Sequence, residues 1–296
     1  MVRVRVPASS ANIGPGFDSL GIALSMYNEA EFIPIDSGLE IEIMDDAYFI
    51  PRGENNFVYA GFKRVFDELG EAVCGVKIRL WSNIPVTRGL GSSSSSIVLG
   101  LMGANALTGS RLSKSELLKL ACEIEGHPDN VAAALMGGFT VACADGGEVV
   151  CSKIPVSYAL HFAAMVPDFY LQTKKARAVL PGFVPFKNAT YNIAHSSLVV
   201  SAFASGNHSL LSLGVKDRLH QRYRFSKVKS GEFVARAMRR NGALCSYLSG
   251  AGPTIMGIVE GEYAQFSDKM NSLIQTNLKG WRLVMLSADN TGATYI

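Results

Sequence analysis

Cysteine is scarce and dispersed in this chain: Cys74, Cys122, Cys143, Cys151 and Cys245 are five in 296 residues, and no two have metal-ligand or redox spacing. An odd, scattered set excludes a disulfide framework and a cysteine-based metal site, and it reads as small buried thiols in a reducing compartment. Net charge is equally slight, since 28 Lys and Arg against 25 Asp and Glu leave +3. That is too little to point to nucleic acid or a membrane surface as partner. The one dense basic run, residues 218–229, reads as a solvated face unless its arginines turn into a cleft. Long apolar runs are missing too. The longest weakly polar stretch, residues 131–144, is short and glycine-interrupted, and the first seven residues lack the apolar core of a signal peptide. The expectation is a soluble, cytoplasmic protein without internal repeats.

What is present is a core. A hydrophobic content of 48% with 18% charged residues suits an ordered globular chain, and the length suits two domains or one large one. The most informative stretch is Pro85-Val86-Thr87-Arg88-Gly89-Leu90-Gly91-Ser92-Ser93-Ser94-Ser95-Ser96. An apolar strand pattern at residues 76–80 leads up to it, and an apolar, Gly/Ala-rich helix pattern over 93–107 follows. Glycines before a helix start present backbone N–H groups and the positive end of a helix dipole to one point, which makes a phosphate cradle. The hydroxyl of Ser93 or Ser92 could reach a metal on such phosphates. A flexible Gly/Ser linker is the ordinary alternative. A Walker A loop is excluded, because no Gly-Lys-Ser/Thr closes the stretch.

Around it, Val2, Val4 and Val6 alternate with Arg3 and Arg5 as in a half-buried strand, running into the small-residue loop 7–18 with Asn12 and Asp18. Residues 39–43 alternate likewise, and residues 55–69 carry apolar side chains at helical spacing behind Asn56, an ordinary cap. Ser113 to Glu116 is a capping-box pattern opening another helix. That helix delivers Glu123, Glu125, His127, Asp129 and Asn130 within eight residues, a polar cluster between apolar segments that is costly to bury unless it binds something. A second unit begins near residues 154–158. In it, residues 173–177, 188–204, 218–224 and 232–240 read as helical. Residues 160–166, 244–248, 255–259 and, as the last strand, 284–286 read as extended, with a second Gly-rich turn at 249–254.

Taken in order, the loop ending Asn12-Ile13-Gly14-Pro15-Gly16-Phe17-Asp18, the cradle and the turn Ser249-Gly250-Ala251-Gly252-Pro253-Thr254 resemble the three signature motifs of the GHMP small-molecule kinases. Glu125-Gly126-His127-Pro128-Asp129-Asn130 is similar to the homoserine kinase branch. The resemblance covers nearly the whole chain. It implies an α+β fold in two lobes, a ribosomal-S5-like ATP-binding domain over 1–155 and a ferredoxin-like domain over 156–296. It also implies ATP and Mg²⁺ as cofactors, L-homoserine as substrate, and O-phospho-L-homoserine as product, a step of threonine biosynthesis. A homodimer is the family's suggestion.

By the same resemblance, ATP phosphates lie along Pro85, Arg88, Gly89, Leu90, Gly91, Ser92, Ser93, Ser94 and Ser95. Asn56 falls where adenine is contacted, and Ser93 with Glu123 maps to the Mg²⁺ ligands. Arg177 and Arg224 match carboxylate-binding arginines, and Asp18 matches the ammonium site. Asn12, His127 and Asn130 surround the hydroxyl, with Thr173 and Asp129 beside them. Asn130 orients the hydroxyl, and Asp129 is the candidate base. The Asp–Lys pair of several relatives has no counterpart, since no lysine lies near Asn12 or Asp18 in sequence. The chain departs from the family pattern in Ser94-Ser95-Ser96, where alanines are commoner, and in Ala133, where proline is. Three alternatives stand beside this reading: a related kinase acting on another alcohol, a catalytically silent binding protein, and a dinucleotide-dependent oxidoreductase. The last lacks the Gly-x-Gly-x-x-Gly spacing.

Overall fold

The computed structural model describes residues 1–45 and 49–296 of the chain. The alternating valines at the N-terminus form β1 (Val2–Ala11), which pairs antiparallel with the long β2 (Leu20–Ile35), Val4 opposite Ala30, with a bulge at Pro7/Ala8. β2 continues to β4 (Gly75–Ser82), and β3 (Leu39–Ile43) adds to β4 in parallel. β5 (Phe139–Asp145) branches from β2 and forms a hairpin with β6 (Glu148–Ile154).

Four helices cover one face of this sheet: α1 (Phe57–Leu69), α2 (Ser92–Leu107), α3 (Lys114–Glu125) and α4 (Asp129–Met136). Their starts are set locally. Asn56 Oδ1 accepts from Val58 N to cap α1, and Ser113 with Glu116 completes a capping box on α3. α2 is apolar on nearly every side, so it runs through the core rather than over it. Gly100 lets it approach α1, since a Cβ there would lie 1.9 Å from Val58 O. Phe32, Ile78, Phe62, Ile97, Leu101 and Leu118 fill the space between sheet and helices.

The chain changes sheet between Ile154 and Leu160. β7 (Leu160–Pro167) is followed by five helices: α5 (Thr173–Arg177), α6 (Phe186–Ser205), α7 (Leu211–Gly214), α8 (Gln221–Arg224) and α9 (Gly231–Arg240). The hairpin of β8 (Cys245–Leu248) and β9 (Ile255–Glu260), α10 (Ala264–Asn277) and β10 (Trp281–Ser287) complete an antiparallel sheet of order β10-β7-β9-β8, the ferredoxin-like arrangement. Val234, Met238, Phe266 and Met270 of α9 and α10 pack on one face. The other face shares a core with the first sheet, where Leu20, Ile22, Leu24 and Phe139 meet Phe162, Tyr247 and Met256. The architecture is α+β in two lobes.

Two expectations change. β10 is not the last strand: β11 (Thr294–Tyr295) returns to pair with β1 and so joins the end of the chain to the first lobe. The expected helix over 218–224 shrinks to α8, because Asp217 takes the N–H groups of Leu219, His220 and Gln221 and holds the preceding residues in a turn. Glu148–Ile154, to which no element was given from sequence, is a strand of the first sheet. Among the described residues no helix is long and apolar enough to cross a membrane.

Candidate active site

The three glycine-rich loops converge at the N-terminus of α2. Gly89 and Gly91 both have left-handed φ, +76° and +68°. A Cβ on Gly89 would lie 2.5 Å from Ser249 O, and one on Gly91 would lie 2.0 Å from Ser9 Oγ. Glycine is therefore required twice, for conformation and for room. Ser249 Oγ donates to Gly89 O (2.5 Å), Thr254 N to Arg88 O (3.2 Å) and Ser9 N to Leu90 O (3.1 Å), so the cradle is gripped by both neighbouring loops. No side chain caps α2, and its first-turn N–H groups are left for a ligand.

Beside the cradle lies a cavity of 430 Å³, a size that suits a small-molecule site. One end is mainly apolar, walled by Phe49, Ile50, Phe57, Leu80, Trp81 and Leu99, with Asn28, Glu29, Asn56 and Ser82 among them. The other carries Asn12, Asp18, His127, Asp129, Asn130, Thr173, Arg177 and Arg224, so the residues expected around a substrate share one space.

The metal pair expected from sequence needs correction. Glu123 lies on the outer side of α3, bound to Arg64 of α1 at 2.8 Å, and does not line the cavity. Glu125 faces inward, where its Oε1 accepts from Ser93 Oγ (2.9 Å) and Ser94 Oγ (3.0 Å). Residues two apart on a helix point ~200° apart around its axis, so only one of the two can face α2. Burial, helped by Asp129, pushes the Glu125 carboxyl above its ordinary range, against the pull of His127 and the two serine hydroxyls. Among the described residues no lysine or arginine pairs with it. A half-buried carboxylate with two hydroxyls and no fixed cation fits a hard divalent ion.

The next turn is a connected polar chain. His127 Nδ1 bonds Asp129 Oδ1 at 2.8 Å, and Asn130 N donates to the same oxygen at 2.7 Å. Burial disfavours the imidazolium, but the bond to Asp129 and the charges of Asp129 and Glu125 outweigh it, so the His127 pKa is raised. Asn130 Oδ1 accepts from Ser9 Oγ (3.0 Å), which leaves its amide NH₂ for a ligand. Asp18, His127 and Asp129 bring one ligand atom each within 4.8 Å of one another, but each already has a protein partner.

Arg177 Nη2 donates to Asp18 Oδ1 at 2.6 Å. Arg224 is 2% exposed, and donates to Ala176 O (3.3 Å) and Gly250 O (3.1 Å). Both guanidinium groups sit over the Phe17 ring, at 5.3 and 5.1 Å. Burial and the neighbouring Arg177 push the Arg224 pKa down to about 10, against the carboxylates of Asp18, Asp129 and Asp217.

Several expected groups have other work. Asn12 accepts from Asp18 N and donates one amide hydrogen to Gly250 O, so it shapes the loop that carries Asp18 and keeps its second N–H. Asn56 likewise accepts from Val58 N and donates to Pro51 O. Arg88 donates to Pro167 O and Asp168 O and ties the cradle to the second sheet. Pro85, Leu90, Ser94 and Ser95 do not line the cavity. Leu90 is in the core, and Ser95 Oγ reaches Val6 O. Glu125 and the apolar wall with Trp81 are the additions. Glu125 stood in the same acidic run as Glu123, and no pattern marks the wall.

Residues 56–138 match the family described as GHMP kinases N terminal domain. The homoserine kinase of Clostridium beijerinckii is 44% identical over 297 residues, covering 100% of this chain and 99% of its own. That of Clostridium botulinum type A is 43% identical, covering 99% and 97%. The crystal structure of homoserine kinase from Cytophaga hutchinsonii superposes with a TM-score of 0.90 at 28% identity, covering 100% of this chain and 97% of that one.

Proposed function

The chain belongs to the homoserine kinases of the GHMP kinase family, and from that premise we propose that it transfers the γ-phosphoryl group of ATP to the side-chain hydroxyl of L-homoserine. The observation that carries the substrate is the grouping of Asp18, Arg177 and Arg224 at the polar end of the cavity, next to an uncapped helix N-terminus. An α-amino acid brings an ammonium and a carboxylate at fixed separation. Asp18 meets the first, and guanidinium is the natural partner of the second. A sugar or isoprenoid alcohol uses neither.

The nucleotide lies with its base against the apolar wall and its phosphates on the N–H groups of Gly91 to Ser94. Mg²⁺ suits Ser93 and Glu125, and when bound it offsets charge on the phosphate oxygens. Asn130 donates its amide NH₂ to the homoserine hydroxyl and aims that oxygen. The bond from this oxygen to Pγ forms as the bond from Pγ to the ADP oxygen breaks, and the hydroxyl proton passes to an oxygen of the transferred phosphoryl group and from there to solvent. Phosphoryl transfer through a loose transition state demands little nucleophile activation, so positioning and charge neutralisation carry the rate. Asp129 is committed to His127 and the Asn130 backbone, which favours an orienting role over that of a base.

The test is ADP release with Mg·ATP and L-homoserine, mevalonate, galactose, L-serine or L-threonine. Turnover strongly favouring homoserine is expected. Turnover on another alcohol alone would keep the kinase and remove the substrate.

A further inference from the structure

His220, just before α8, is fully buried, and the homoserine-binding scheme above gives it no role. Its Nε2 lies 2.7 Å from Gly14 O, in the loop between Asn12 and Asp18. A carbonyl only accepts, so Nε2 carries the hydrogen. Its Nδ1 lies 3.4 Å from Arg224 Nη1, and a guanidinium only donates, so Nδ1 carries a lone pair. The two contacts together define the neutral Nε2–H tautomer. Burial, reinforced by the Arg224 charge and opposed mainly by Asp217, lowers the His220 pKa and keeps the ring neutral. The ring also packs on Phe17 at 5.2 Å, the same Phe17 that lies beneath Arg177 and Arg224.

The turn that presents His220 does not depend on the imidazole. Asp217 secures it by accepting from the backbone N–H groups of Leu219, His220 and Gln221 and from Asn192 Nδ2. Both ring nitrogens are therefore spent on parts of the substrate site that come from different lobes. The loop bearing Asp18 belongs to the first sheet, and Arg224 belongs to the second lobe.

We propose that His220 is a positioning residue for the amino-acid half of the site, a neutral bridge that sets the spacing between Asp18, which takes the ammonium, and Arg224, which takes the carboxylate. The proposal rests on the homoserine reading. The two charges of an α-amino acid are a fixed distance apart, so the groups that receive them must be too. Neither contact of the His220 ring involves the cradle, so nucleotide binding does not depend on it.

The experiment is initial-rate kinetics on the full chain with Mg·ATP, varying homoserine and ATP in turn, for wild type, His220→Phe, His220→Gln and His220→Asn. His220→Phe keeps a ring against Phe17 and loses both hydrogen bonds. It should raise KM for homoserine about tenfold, equivalent to about 1.4 kcal/mol, with KM for ATP and kcat changed by no more than about threefold. Gln retains a donor for Gly14 O and Asn an acceptor for Arg224, and each should recover part of the loss. An unchanged homoserine KM, or equal rises in both KM values, would overturn the proposal. If His220→Phe fails to fold, by circular dichroism and ATP binding, Gln and Asn carry the same comparison. If none of the three folds, the role is structural and the proposal is lost. Failure of the homoserine reading shows separately, as wild type that turns over a different alcohol.

Discussion

Asp18 and Arg177 hold each other at 2.6 Å across the polar end of the cavity, one from the β1–β2 loop and the other from α5, with side chains 32% and 37% exposed. A zwitterion entering between them gives each a new partner of opposite charge. The pair thus keeps two otherwise unpaired charges satisfied until substrate arrives.

Arg177→Met should raise KM for homoserine by about 10- to 100-fold, the scale of one charge-assisted hydrogen bond, and leave KM for ATP nearly unchanged. Half-exposed ion pairs contribute little to stability, so Tm should move by only a degree or two, roughly. Steady-state kinetics and a thermal melt on the same preparation check both statements.

Glu125 and Glu123 should separate cleanly. Glu125→Gln removes the carboxylate beside Ser93 and Ser94 and should lower kcat on the order of 100-fold or more, the scale of losing one preorganised electrostatic group. Glu123→Gln loses an exposed contact with Arg64 and should leave kcat within about twofold. Equal effects would restore Glu123 as a cation ligand. Without Mg²⁺ the Glu125 carboxyl, raised in the folded state, favours folding at low pH, and that contribution is lost as pH rises. Urea unfolding of metal-free Glu125→Gln should show the loss removed.

His127 and His220 should act on stability with opposite signs. His127 has a raised folded-state pKa, so its contribution is full below the ordinary 6.5 and declines as pH rises through the folded value. His220 has a lowered one, so its contribution is full above 6.5 and declines as pH falls. Urea unfolding of wild type, His127→Asn and His220→Gln at several values from pH 5 to 8 should show the first variant losing the alkaline decline and the second the acid one.

Gly91→Ala should damage the cradle specifically. A left-handed φ of +68° costs an L-residue about 1–2 kcal/mol, and the new Cβ would also collide with Ser9 Oγ and crowd Asn130 Oδ1, at 2.0 and 3.2 Å. Gly109→Ala, at φ +85° with open space around it, carries only the backbone cost. Both should lower Tm by a few degrees, roughly, but only Gly91→Ala should raise KM for ATP.

Much of the molecule was readable from neighbouring residues. The cap at Asn56, the capping box at Ser113 and Glu116, the alternation of Val2, Val4 and Val6, and the Gly89–Ser93 cradle are all local, because each depends on bonds or periodicities spanning a few residues. The set of cavity residues was legible at the level of motifs, since loops at 7–18, 85–96 and 249–254 each carry their own turn chemistry. The apolar wall with Trp81 and Leu99 was not legible, because a strand residue and a helix residue look the same whether they line a cavity or a core.

The sequence by itself marked several of the helices, the glycine turns and which polar residues needed an explanation, because these follow from local sterics, hydrogen bonding and hydrophobic period. Only the tertiary structure decided which of them face one another. Glu123 and Glu125 are equivalent as residue types in one acidic run, and the packing of α3 against α1 and α2 sends one to Arg64 and the other to Ser93. Asn12 and Asn130 both carry a free amide on paper, yet the first gives its oxygen to Asp18 N and one N–H to Gly250 O while the second keeps its whole NH₂. The return of β11 to β1 and the reach of His220 to Gly14 O span 289 and 206 positions. Contacts at that separation leave no period in the chain, and they exist only once the shared core has brought both lobes together.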